Sequence, residues 1–152
     1  GVNTVPGQGL TADDINSFPN GLLSAQDYLL RMPFDLDQGL ENLPLGANTR
    51  NRWPPTTLRM GFEGDLVGYK YSVPVLVPTL GVYHEGAPLI VLNNVAPTPN
   101  LTTLQTLVAV RVREGDRIAV CTYGDVRAGA LRETEHRAER EAHVELYFRP
   151  IL

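Results

Sequence analysis

Residues 104–125 read LQTLVAVRVREGDRIAVCTYGD, and this stretch decides the fold class. Leu107, Ala109, Arg111 and Arg113 fall on one face of an extended chain, while Val108, Val110 and Val112 fall on the other. That period of two belongs to a strand. The following run, RIAVCTY, is just as rich in residues that fit a pleated surface, and Glu114-Gly115-Asp116 between the two supplies a reversal. The stretch predicts an antiparallel hairpin with a Gly-containing turn.

Similar runs occur on both sides: TTLRMGF (56–62), DLVGYKYSVPVLV (65–77), TLGVYH (79–84) and PLIVLNN (88–94), each bounded by Gly, Pro or Asn. HVELYFRPIL (143–152) ends the chain, with Val144, Leu146 and Phe148 directed inward and Glu145, Tyr147 and Arg149 outward. Short strands with Pro at their ends, and no alternation with long helices, favour an all-β sandwich or barrel over a parallel sheet, and an antiparallel β-sandwich is the fold expected. One or two short helices accompany it. Within GLLSAQDYLLRM (21–32), Ser24 and Asp27 have capping-box spacing, and Ala25, Tyr28, Leu29 and Met32 share a helical face. Residues 33–55 read as irregular chain. Residues 127–143 fit an exposed helix, through Glu133–Arg137 and Arg137–Glu141 spacing, or a loop, because only Ala130, Leu131 and Ala138 could pack.

At 152 residues the chain has the size of one domain with one core. It is 43% hydrophobic and 20% charged, inside the globular range. The net charge of −4 and pI near 5.3 give no long-range field to gather nucleic acid or anionic lipid. Lys70 is the only lysine, so Arg carries nearly all the positive charge. Cys121 is the only cysteine, which excludes an internal disulfide framework, and its place in an apolar run predicts a buried, inert thiol. No apolar stretch has the ~20 residues needed to span a bilayer as a helix.

Signals for chemistry are sparse. His136, Glu139 and His143 have ligand spacing only if one helix runs through all three, and His143 fits the last strand better. His84-Glu85-Gly86 reads as a polar turn between strands. The pairs Asp13-Asp14 and Asp35/Asp37 lie in loops, where they do not form an acid and base pair. Asn100-Leu101-Thr102 matches a glycosylation acceptor and is read as a loop asparagine. No nucleophile frame, phosphate loop or metalloprotease signature occurs, so no catalytic residue, metal ligand or cofactor site is assigned. Arg50, Arg52 and Trp53 join cations to an aromatic, the combination of a single-strand groove, and are assigned a weak RNA contact; packing of Trp53 beside Pro54 and Pro55 is the alternative.

The first twenty residues, GVNTVPGQGLTADDINSFPN, hold few apolar side chains. Fixing each residue costs on the order of 1–2 kcal/mol, so the segment is expected to be an extended arm ordered by another molecule. Thr4, Pro6, Gly7, Gln8, Leu10, Thr11, Asp13, Asp14, Ser17 and Pro19 follow an order that resembles the N-terminal arm of the third major coat protein of picornaviruses. LSAQDYLLRM and GFEGDLVGYKYSV are similar to a helix and a strand of those coat proteins. The resemblance implies a jelly roll over residues 21–152 behind an arm over 1–20, and an icosahedral shell built with other copies and other capsid proteins. It also implies release from a polyprotein at Gly1, and residence in the virion, with host cytoplasm as the place of assembly. Pro6, Gly7, Gln8, Leu10, Thr11, Asp13 and Asp14 become interface residues, and no enzymatic role follows. The chain is shorter than full members of that family. Alternatives are a sandwich module that binds carbohydrate or protein, and a trimeric dUTP nucleotidohydrolase, which GDRIAV (115–120) resembles without the substrate loops.

Overall fold

A computed structural model describes residues 3–5, 8–34, 56–98, 102–123 and 142–151. In chain order they form β1 (Asn3–Val5), β2 (Gln8–Gly9), α1 (Ala12–Asn16), β3 (Tyr28–Pro33), β4 (Thr57–Met60), β5 (Gly64–Ser72), β6 (Val77–His84), β7 (Ala87–Val95), β8 (Thr102–Val112), β9 (Arg117–Tyr123) and β10 (His143–Pro150). These strands make two five-stranded sheets, one ordered β1-β4-β9-β6-β7 and the other β2-β3-β10-β5-β8. Every pairing is antiparallel except the parallel pair β1–β4. The all-β sandwich expected from the strand pattern is the architecture observed.

Alternation builds the core. Leu30, Met32, Leu66, Val112, Val144, Leu146 and Phe148 from the second sheet meet Leu58, Met60, Leu80, Val82, Ile118 and Val120 from the first, all buried in one cluster. Full burial of such a side chain stabilises the fold by roughly 1.5–3 kcal/mol. Phe62 bridges Tyr28 and Phe148 edge-to-face, with centroids 5.0 and 5.7 Å away.

Residues 104–123 do not form the expected hairpin. The reversal is present: Asp116 N donates to Arg113 O over 3.0 Å, and Gly115 takes a φ of +85°. The strands on either side join different sheets, β8 pairing with β5 and β9 with β4 and β6. The end of β4 pins the crossing, with Gly115 N donating to Met60 O (2.7 Å) and Met60 N to Asp116 O (2.8 Å). Val112 and Ile118 thereby face each other across the core, which burial favours over lying side by side in one sheet. The tight hairpin is β6–β7, where Glu85 and Gly86 both have positive φ, +48° and +83°. Two left-handed residues suit a two-residue connection to the strand twist.

The helix expected over 24–32 is also absent. Ser24 to Asp27 form a turn, with Ser24 N donating to Asp27 Oδ2 and Asp27 N to Ser24 O, each 3.0 Å. β3 then alternates Leu30 and Met32 into the core, so the period that wins is two. The capping box lies upstream: Thr11 Oγ1 accepts from Asp14 N, Asp14 accepts from Thr11 N, and α1 follows.

Residues expected to take their order from another subunit find partners in their own chain. β1 adds to β4, β2 adds to β3, and Phe18 and Leu23 are buried against Tyr147. The apolar residues Leu10, Ile15, Phe18, Leu22 and Leu23 compensate the ordering cost by covering the outer face of the second sheet. Tyr147 and Glu145, expected to face outward, do so and are nevertheless buried beneath this cover. Residues 35–55, 99–101 and 124–141 lie outside the described set. With them lie Pro6, Gly7, the paired Asp35/Asp37, the Asn100-Leu101 portion of the glycosylation pattern and the 127–141 part of the helix-or-loop segment, whose last residue, His143, begins β10.

Candidate functional site

The outer face of the second sheet carries a row of charged residues that strand register brings together. β10 lies between β3 and β5, with Glu145 opposite Arg31 on one side and Lys70 on the other. One step along, Tyr147 lies between Leu29 and Gly68; one step back, His143 lies between Pro33 and Ser72. Glu145, Lys70 and His143 are all buried.

Each member has a neighbour that accounts for its burial. Tyr147 Oη donates to Glu145 Oε2 over 2.7 Å. His143 Nε2 stands 3.5 Å from Glu145 Oε1, and Arg31 Nε 3.9 Å from the same oxygen. Arg31 Nη2 also lies 3.4 Å from His143 Nδ1. The Lys70 ammonium sits 5.6 Å from the ring centroids of both Phe18 and Tyr147, within cation–π range of each. Phe18 meets Tyr147 edge-to-face at 4.9 Å.

Burial pushes the Glu145 carboxyl up, but hydrogen bonds from His143 and Tyr147 and the charges of His143 and Lys70 more than offset it, leaving the group below its ordinary range. The Tyr147 phenol is driven upward, first by burial and then by the Glu145 carboxylate it donates to. A second buried carboxylate, Asp27, takes Arg149 Nε (3.2 Å) and Nη2 (3.1 Å), while the same Nη2 donates to Leu22 O over 2.7 Å. Charges buried this way are costly unless paired, and both carboxylates are.

A smaller polar junction ties the β6–β7 tip to the crossing turn. His84 Nε2 lies 2.7 Å from Asp116 Oδ2, which also accepts from Arg113 N (2.8 Å), and Glu85 pairs with Arg117. Burial raises Asp116 and these bonds lower it, with a net depression. On the outer face of the other sheet, burial raises the Cys121 thiol to about 11, in keeping with the inert cysteine expected.

Among the described residues no group of three or more His, Cys, Asp and Glu is placed to hold a metal ion, and no helix is long and apolar enough to cross a membrane. No protein-family model matches the chain, and a search of curated proteins finds no match.

Of the residues assigned an interface role, Gln8 is an exposed edge residue paired with Leu29. Leu10 packs in the cover, Thr11 and Asp14 cap α1, and Asp13 is exposed in its first turn. Pro6, Gly7, Arg50, Arg52 and Trp53 lie outside the described residues. Sequence reading missed the row of Arg31, Glu145, Lys70, His143 and Tyr147. Its one signal was the chain's single lysine inside an otherwise uncharged strand run, GYKYSV.

Proposed function

We propose that this protein is a structural coat subunit with a jelly-roll sandwich, assembling with other copies and other capsid proteins into the icosahedral shell of a picornavirus-like virus. The observation that carries the reading is strand order. β3-β10-β5-β8 faces β4-β9-β6-β7, and every connection from β3 to β10 except the β6–β7 hairpin passes between the sheets, an order that supports two Greek keys, the arrangement of capsid and lectin domains. The likeness of residues 4–19 to a coat-protein arm supports it independently. So does the edge strand β7, APLIVLNNV, nine residues without a charge and with Val91 exposed. Such an edge is an aggregation hazard in a free molecule and a contact in a shell.

Light scattering and electron microscopy of the purified full chain, alone and with its companion coat chains, test this. Closed particles are the expected product; a monomer at every concentration, with and without companions, overturns the proposal. A second reading, a sandwich module that binds carbohydrate or protein, is favoured by the packing of the N-terminal segment on its own sheets, which leaves a self-sufficient molecule. It predicts a monomer that binds an immobilised glycan or protein.

A further inference from the structure

The cover over the charged row is unevenly held. Leu22–Asp27 is fastened by the three Arg149 hydrogen bonds, two to the Asp27 carboxylate and one to Leu22 O. Upstream the fastening changes. Every hydrogen bond described for Thr11 to Ser17 stays within that segment: the capping box, the α1 turn, and Ser17 Oγ donating to Asp14 O over 2.7 Å. Its apolar contacts with the sheet run through Ile15 and the flanking Leu10 and Phe18, with Phe18 seated on Tyr147 and Lys70, and the pairing of β2 with β3 holds its upstream end. Between the two halves lies a turn suited to a hinge, with Gly21 at φ +82° and Leu22 N donating to Pro19 O over 3.1 Å. The main core cluster contains no residue before Leu30, so it is complete without the cover.

We propose that Leu10–Asn20 is a detachable strap, held at one end by the β2–β3 pairing and at the other by the Pro19–Gly21 turn and clamped by Phe18 on the Lys70 ammonium, that lifts off the sheet while the sandwich stays folded. Local opening of this kind draws on segments with few apolar contacts and hydrogen bonds internal to themselves. Opening exposes Lys70, Tyr147 and Glu145 together, turning a buried ion cluster into a charged face beside an aromatic ring. The inference is independent of the coat-protein reading, because it concerns the isolated chain.

Lys70 makes the strap measurable. As the only lysine, its side-chain amine can be acylated by a water-soluble succinimidyl ester and quantified in its own peptide by mass spectrometry. In the native full chain, labelling should proceed in denaturant well below the global transition, together with faster amide exchange in 10–20 than in β5 and β10. F18A should raise the labelling rate at least tenfold while leaving the thermal midpoint within a few degrees. Ile15→Ala, which leaves the ring in place, should raise it less. The proposal is overturned if Lys70 labels only as the whole molecule unfolds, if residues 10–20 and β10 exchange in one event, or if F18A leaves labelling unchanged. Should F18A lower the midpoint as far as the core substitution Leu146→Ala, the strap is part of the core and the proposal also falls.

Discussion

Glu145 shows how much one side chain can organise. It is buried, accepts from Tyr147, and lies among Arg31, His143 and Lys70, so removing it strands the buried Lys70 ammonium and leaves the His143 ring and the Tyr147 hydroxyl without their carboxylate. Breaking a buried ionic set costs ~3–5 kcal/mol, and E145A should lower chemical-denaturation stability by that order. Tyr147→Phe removes one bond to the carboxylate and keeps the ring on Phe18, so a loss of about 1–3 kcal/mol is expected in the same measurement. Gly81 is constrained differently. A Cβ there would stand 2.6 Å from Tyr83 Oη and 2.7 Å from Cε2. G81A must displace that buried ring and should destabilise by roughly 1–3 kcal/mol, visible as a shifted urea midpoint. The Tyr147–Glu145 bond and the Gly81–Tyr83 contact each span two residues of one strand, but the charged set is not local in sequence. Arg31, Lys70 and Glu145 are far apart along the chain and meet only through register.

Among the elements, turns were the more legible part and partners the less. Gly115 marked a reversal correctly, and Glu85-Gly86 marked another. Whether the strands on either side pair with each other is decided by the core. β6 and β7 pair, whereas β8 and β9 separate because Val112 and Ile118 gain more by closing the core from opposite sides. Gly86→Ala places a side chain at φ +83° in the tight β6–β7 hairpin, and a cost of about 1–2 kcal/mol is expected. The sharpest test is the thermal midpoint of G86A against that of Ala87→Gly next to it, which should move less. The capping-box spacing of Ser24 and Asp27 pointed to a helix that does not form, and the same spacing at Thr11 and Asp14 went unread. Only Thr11-Ala12-Asp13-Asp14 opens a helix, since Asp27 is committed to Arg149 and the following residues are drawn into a strand.

For the molecule as a whole, ionisation sets a window of stability. Glu145, Glu85, Asp116 and Asp65 all lie below their ordinary values in the fold, so the unfolded chain binds more protons as acid is added. Their contribution is present above the unfolded carboxylate range, about 3.9–4.3, and is lost as pH falls through the folded values. Cys121, raised from 9.0 to about 11, and Tyr147, also raised, act at the other end: ionisation favours the unfolded chain, so stability intact below about pH 9 declines above it. Calorimetry between pH 3 and 10.5 should give a midpoint that plateaus near neutrality and falls at both ends; a midpoint still rising below pH 4 would contradict the carboxylate assignments. The sequence by itself determined the β class, the positions of β4 to β10 and the burial of Cys121, because period-two alternation and burial are properties of short segments. Tertiary structure alone decided which strands share a sheet, that residues 10–27 cover the chain's own second sheet, and that four buried polar residues and the exposed Arg31 form one row. Those outcomes depend on which apolar faces can close over one another, and that competition spans the whole chain.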